Sequence, residues 1–420
     1  MIVQLKAHKM KISKPKVWLG IYLFILVFQP PIIPKINVYH LLTIFSLFCL
    51  IVEYKSLFKN FYRQSNVKKL LKGMGLYFIY VLIKEIISLV FCPVADDAYL
   101  YVTYKLICCF IEIPICCCYI YAYCKKSNIT FDEVLYLLID IGIVQLFIGI
   151  IMMFSPSIKL FLVNLMQLNN NSDIDTISSW EYNRRYFAFS GCMLDMFGWG
   201  FGIIAGLPFY IKNVKPKYLV ISPFLLIIGV MNSTTTIIMY MVMLFGAFIK
   251  KLIIEHRVRK KLIILVGVIP LIFVIGFVVM QTYASGSFDW FMNEMMSLVG
   301  KSNSNKSSLD NVVDKNVWYF PNNFIDKLFG TGHYVYLVNG YKHSDIGFVN
   351  LIWISGIIGI LILVITLIRT VKECCIQKKE YVFLFFVIFV IFWIFEIKGL
   401  GLGINPGMAC TMIILMLSSI

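Results

Sequence analysis

The chain has 420 residues, of which 60% are hydrophobic, 16% aromatic and only 14% charged. Soluble domains run at about 45–50% apolar and about 25% charged residues, and the mean hydropathy of +0.83 departs from them in the same direction. Intrinsic disorder, a disulfide scaffold and a secreted enzyme are excluded, and the formal charge of +16 has to be explained on a membrane chain.

Residues 1–16 carry five Lys and one His ahead of an apolar run at 17–33. The charge is that of a signal peptide, but no small-residue cleavage site follows, so the segment reads as a retained signal anchor. Each further crossing needs about 20 mostly apolar residues. Spans are predicted near 36–52, 73–95, 98–123, 132–154, 186–211, 218–231, 233–249, 262–280, 346–368, 381–397 and 404–420. The expected fold is an all-α polytopic integral membrane protein, one membrane domain over 1–420, with about twelve transmembrane helices and both termini cytoplasmic. Of the 38 Lys and Arg, 26 fall on segments that this layout puts in the cytoplasm and ten on outer segments. Lys84 and Lys105 fall inside spans. Short basic loops stay in the cytoplasm, so the charge accounts for orientation and not for nucleic acid.

The short pair 218–231 and 233–249 lies between two strongly basic flanks, so the chain should return to the side it left. A hairpin turning at Asn232-Ser233-Thr234-Thr235-Thr236 fits; polar backbone near membrane depth persists only where protein or a wet cavity surrounds it. Two outer loops are long, 155–185 and 281–345. In the second, Phe288, Phe291, Met292, Met295, Met296 and Val299 recur at helical spacing and predict an amphipathic helix on the outer leaflet or capping a cavity. Residues 301–308 read as a flexible tip. The twelve Cys show no metal spacing; most lie in or beside apolar spans, such as Cys108-Cys109 and Cys116-Cys117-Cys118, and behave as small hydrophobes.

Four groups could carry chemistry. Arg184-Arg185 ends the first outer loop, where two guanidinium forks could hold a diphosphate or anchor lipid headgroups; on position alone the second is the stronger reading. Leu328-Phe329-Gly330-Thr331-Gly332-His333 and then Lys342-His343-Ser344-Asp345 stand at the entrance of the 346–368 span. An imidazole suits proton transfer near neutral pH, a carboxylate two residues on can orient it, and Gly330 and Gly332 let backbone approach a ligand; a solvated loop is the alternative. Lys84-Glu85, Lys105, Glu112, Asp140, Asp195 and Glu396 are ionisable residues inside spans and must face protein or water. Asp96-Asp97 reads best as a solvated turn.

These features together resemble the O-antigen and capsular polysaccharide polymerases, the Wzy-type family related to O-antigen ligases. The resemblance rests on Arg184-Arg185-Tyr186-Phe187-Ala188-Phe189-Ser190-Gly191, on the hydroxyl-rich turn 232–236, and on the large outer loop. That loop closes with Leu328-Phe329-Gly330-Thr331-Gly332, and His343-Ser344-Asp345-Ile346-Gly347 and a span with Gly356-Ile357-Ile358-Gly359 follow. These motifs cover roughly 180–370. Family members often have an Arg in the hydroxyl-rich turn; here Ser233-Thr234-Thr235 stands instead. The resemblance implies metal-independent, GT-C-like glycosyl transfer with no cofactor, on the outer face of a bacterial cytoplasmic membrane. The donor would be a glycan on undecaprenyl diphosphate and the acceptor a repeat unit on the same carrier, with membrane lipid around the chain. A chain-length regulator and a flippase of the same pathway would be partners. Arg184 and Arg185 would meet the leaving diphosphate, His343 would act as base with Asp345 as its orienter or substitute, and Gly330, Gly332 and His333 would shape the sugar site. A twelve-span flippase and an O-antigen ligase are the alternatives; the long outer loop speaks against the flippase, and only the acceptor separates the ligase. A membrane acyltransferase fits less well, because its His would be expected on the cytoplasmic side.

Overall fold

The computed structural model describes residues 13–33, 36–91, 97–169, 186, 188–190, 194–251, 278, 281–298, 317–333, 344, 346–399, 401–402 and 405–420. Its helices are α1 (Lys14–Phe28), α2 (Val38–Val52), α3 (Lys55–Arg63), α4 (Ser65–Phe91), α5 (Asp97–Ile107), α6 (Ile113–Ser127), α7 (Phe131–Phe154), α8 (Pro156–Asn169), α9 (Leu194–Gly206), α10 (Pro216–Val230), α11 (Thr235–Lys250), α12 (Ser285–Leu298), α13 (Phe324–Phe329), α14 (Gly347–Gln377), α15 (Val382–Lys398) and α16 (Pro406–Met416). The described residues form no sheet, and Ile33 and Ile36 make an isolated bridge.

Local sequence explains where these helices start. Pro15 opens α1, and Thr130 and Glu133 close a reciprocal capping box on α7. Asn405 caps α16 by accepting the Met408 amide at 2.7 Å, with Pro406 at the first turn. Five segments are long and apolar enough to cross a membrane: Ser65–Val90, Val102–Ser127, Phe131–Phe154, Gly347–Gln377 and Lys379–Ile397. Counting α2 and α3, which meet at 105°, as one bent span makes six. Other predicted spans correspond to shorter apolar helices, among them α10, α11 and α16. The predicted span 262–280 lies outside the described residues apart from Val278.

Several boundaries differ from the sequence expectation for identifiable reasons. The stretch 53–72, expected as a loop, is helical through α3 and the start of α4. The first outer loop begins as α8 rather than as irregular chain. Helix α9 starts at Leu194, not near 186; among the described residues before it, Tyr186 and Phe189 are non-helical and bonded by Asn232 and Gln145, and Ala188 adopts a φ of 52°. Helix α12 realises the predicted amphipathic segment. Residues 301–308 are outside the described set.

Charged pairs gather the ends that the layout assigns to the cytoplasm. Lys16 pairs with Glu133, Lys69 with Glu373, and Lys126 with Glu53 at 3.5 Å, while the Tyr381 hydroxyl donates to Asp132 at 2.6 Å. In the interior, α4 and α14 approach closely because Gly73 faces Thr366 with no room for a Cβ, and Tyr77 donates to Ser355 at 3.1 Å. Small residues at such contacts let helix backbones meet in an apolar medium.

Candidate functional site

Helix α14 is 31 residues long, and Gly356 breaks it with φ 63° and ψ −173°. A break strips carbonyls of their helical donors, which is tolerated at membrane depth only where protein re-satisfies them. The donors come from Thr331 and Gly332, at the end of the loop expected on the outer side. The Thr331 amide donates to Trp353 O at 2.6 Å and the Gly332 amide to Ile354 O at 3.1 Å, and the Thr331 hydroxyl adds a bond to Trp353 O at 2.9 Å. Gly330 has φ 75° and ψ 167°, a conformation open almost only to glycine. A Cβ there would lie 2.6 Å from the amide nitrogens of Ser355 and Gly356. Gly330 thus faces the α14 backbone, and Gly332 faces α4, where a Cβ would lie 3.0 Å from the Lys84 carbonyl.

This interlock carries His333 inward. Its Nε2 lies 3.0 Å from Ser88 Oγ on α4, and burial holds the imidazole below its ordinary value, with Asp326 opposing. One turn earlier on α4, Glu85 is buried and accepts a hydrogen bond from the Thr103 hydroxyl. Tyr80 donates to Phe329 O at 2.6 Å, and Lys84 Nζ stands 6.0 Å from the Phe329 ring centre. Glu396, fully buried at the end of α15, accepts the Gly401 amide at 3.1 Å and lies within electrostatic reach of Lys105. The buried Glu85 carboxylate, the His333 imidazole and the hydroxyls of Ser88, Thr103 and Tyr77 thus lie on and around α4 beside the inserted turn, while Glu396 sits by Gly347 at the start of α14. The sequence singled out His333 and Glu85 separately; the turn that docks on the break in α14 brings them to one stretch of α4.

A second cluster surrounds the hydroxyl-rich turn. The hairpin of α10 and α11 forms as predicted, and Asn232, Ser233, Thr234, Thr235 and Thr236 are all buried at its tip. Asn232 Nδ2 donates to Tyr186 O at 3.0 Å and to Ile228 O at 2.9 Å, and the Ser233 and Thr235 hydroxyls lie 2.6 Å apart. The Gln145 carboxamide clamps Phe189, donating to its carbonyl at 2.8 Å and accepting its amide at 2.9 Å. Ser190 donates to Phe28 O at 2.9 Å, and Lys159 Nζ stands 3.8 Å from the Tyr186 ring centre. Tyr186, the residue after Arg185, is thus tied to the hydroxyl-rich turn. Gln145 carries no charge and so escapes a reading confined to ionisable groups; a carboxamide inside an apolar span is the signal that marks it.

Trp199 of α9 stacks on Phe395 beside Glu396, ring centres 4.8 Å apart, while neighbouring Gly198 packs on Ser233 and Thr236. Helix α9 therefore touches both the hydroxyl-rich turn and the end of α15 next to Glu396. Arg184, Arg185, His343 and Asp345 lie outside the described residues, as do Asp96 and the side chains of Asp97 and Asp195. Ser344, between His343 and Asp345 in sequence, is buried; its hydroxyl donates to Val317 O at 2.7 Å and its carbonyl accepts from Asn350 at 3.1 Å. Comparisons with protein-family models, curated proteins and solved structures find no match for this chain.

Proposed function

We propose that this chain polymerises lipid-linked oligosaccharide repeat units for O-antigen, capsule or exopolysaccharide. In this reading it is a glycosyltransferase with about twelve crossings of a bacterial cytoplasmic membrane, working on the outer face. The observation that carries the proposal is the bond from Asn232 to the carbonyl of Tyr186. It brings the chain next to Arg184-Arg185 against the hydroxyl-rich turn, two motifs of the family resemblance that are far apart in sequence. The inserted turn at Gly330-Thr331-Gly332-His333 supplies the third.

The chemistry follows from what the reaction demands. An acceptor sugar hydroxyl attacks the anomeric carbon of the donor glycan as the bond from that carbon to the undecaprenyl diphosphate oxygen breaks. The leaving diphosphate carries negative charge, and Arg184 and Arg185 compensate it. His343 takes the proton of the attacking hydroxyl, with Asp345 orienting the ring. The chain-length regulator and the flippase of the pathway are the natural partners.

A second reading, transport of the lipid-linked oligosaccharide, draws on the buried carboxylates Glu85 and Glu396. Deleting the gene in its own host and running the surface glycan and its lipid-linked precursors on a gel separates these readings. A ladder reduced to single repeat units means polymerase. Loss of all surface sugar with precursor held inside means flippase, and long polymer left on the carrier means ligase. Full-length ladders from Arg185→Ala or His343→Ala would strip those residues of their diphosphate-binding and general-base roles.

A further inference from the structure

At the junction of α2 with α5 and α6, three metal-binding side chains converge: His40, Cys108 and Glu112. One donor atom from each lies within 4.8 Å of the others. His40 Nδ1 is 3.0 Å from Oε2 and 3.1 Å from Oε1 of Glu112. The opposite ring nitrogen, Nε2, is 3.0 Å from the Tyr104 hydroxyl. That is the arrangement by which a second partner fixes the tautomer and orientation of a ligating imidazole.

The local backbone is built to this end. Between α5 and α6 the helix widens into one π-turn, Cys108–Glu112. A π-turn rotates the chain less per residue than an α-turn, so side chains four apart come almost into line, and single π-turns recur at functional sites. The Tyr39 hydroxyl donates to Cys108 O at 2.7 Å, which pins the turn to α2 immediately beside His40. Cys108 is buried, whereas the side chains of His40 and Glu112 are 33% and 18% exposed, so the group has a closed sulfur side and an open nitrogen and oxygen side.

We propose that His40 Nδ1, Cys108 Sγ and a Glu112 carboxylate oxygen bind one divalent cation of the zinc class, with a fourth position open to water. The mixed nitrogen, sulfur and oxygen set selects such an ion over magnesium or calcium, which take oxygen ligands. On binding, the Cys108 thiol gives its proton to bulk water and the thiolate takes the metal. The ion links α2 to the α5–α6 turn, and this role is independent of the glycosyl-transfer reading.

Full-length protein in detergent micelles, titrated with Co2+ under reducing, anaerobic conditions, tests the site. One equivalent should produce a thiolate-to-cobalt charge-transfer band in the near ultraviolet, and Zn2+ should abolish it by displacement. Cys108→Ser should lose the band while melting like the metal-free wild type. If that variant does not fold, His40→Gln carries the test, with Co2+ binding weakened by about tenfold or more. No band at stoichiometric Co2+, a band that survives in Cys108→Ser, or unchanged affinity in His40→Gln would each overturn the proposal and leave an ordinary His40–Glu112 ion pair.

Discussion

Single residues carry the interlock between the outer loop and α14. Alanine at Gly330 would have to adopt φ 75° and ψ 167° and place a methyl against two amide nitrogens. Gly330→Ala is expected to cost about 1–3 kcal/mol, read as a lower melting temperature in detergent, while Asn322→Ala in the exposed approach to α13 should melt like the wild type. His333 gives a pH signature. Its imidazole is held below 6.5 by burial, so the folded state binds the proton less readily than the unfolded chain. The contribution of a neutral His333 is complete above 6.5, falls as pH drops from there toward the lowered folded value, and is flat below it. Melting curves of wild type and His333→Gln between about pH 7.5 and about pH 5 should therefore diverge in slope, with the wild type losing more stability on acidification. Parallel profiles would show that this imidazole is not linked to folding. His333, Gly330 and Glu85 were all visible as unusual residues in unusual places. What sequence could not supply was that the glycines face backbone rather than open space, because that depends on a helix break 26 residues further along the chain. His40 was invisible for a related reason: its partners Cys108 and Glu112 come from another segment, and spacing along one strand of sequence cannot show it.

Among the elements, the hairpin of α10 and α11 was legible because two basic flanks forced the chain to return, and its buried Asn and hydroxyls follow from the need to satisfy a turn at membrane depth. The break in α14 and the π-turn before α6 were not. The first interrupts an apolar run without a Pro, whereas the second lies directly before Pro114, whose missing N–H cannot continue the α-helical ladder; contacts from elsewhere brace both. Tyr186, Phe189 and Ser190 are the same case, non-helical residues held by bonds involving Gln145, Asn232 and Ser190. Gln145→Ala would leave both the amide and the carbonyl of Phe189 without their buried partner, at about 1–3 kcal/mol for each group. The expected result is a destabilised protein and a shortened or absent glycan ladder. A ladder of normal length from a well-expressed Gln145→Ala chain would separate this segment from polymerisation.

For the whole molecule, composition made the membrane class plain, and the charge asymmetry is matched by ion pairs that collect segments 16, 53, 69, 126, 133 and 373 at one end. Five or six long apolar helices are accompanied by several shorter ones; the sequence marked the 218–231 and 233–249 pair as short, but not the others. Nine of the ten described cysteines are buried and Cys375 is partly exposed, so single reporters are best added to a chain in which Cys92, Cys192 and Cys375 are replaced by Ser. A membrane-impermeant maleimide should label Ser304→Cys on intact cells, but label Lys59→Cys on α3 only after permeabilisation. Labelling in the reverse order would invert the topology.

The inserted turn also sets an order of events during synthesis. Residues 317–333 leave the ribosome before α14 exists, yet the carbonyls they satisfy belong to α14. Until the turn docks, the apolar stretch 347–377 has every reason to close its own hydrogen bonds straight through Gly356, giving a rod of about 46 Å at 1.5 Å per residue. A peptide covering Gly347–Gln377 in micelles should therefore be one unbroken helix, and the bend should be acquired only when the nascent chain folds back on α4. The active form of the protein would then be made after insertion into the bilayer, as a separate step of maturation.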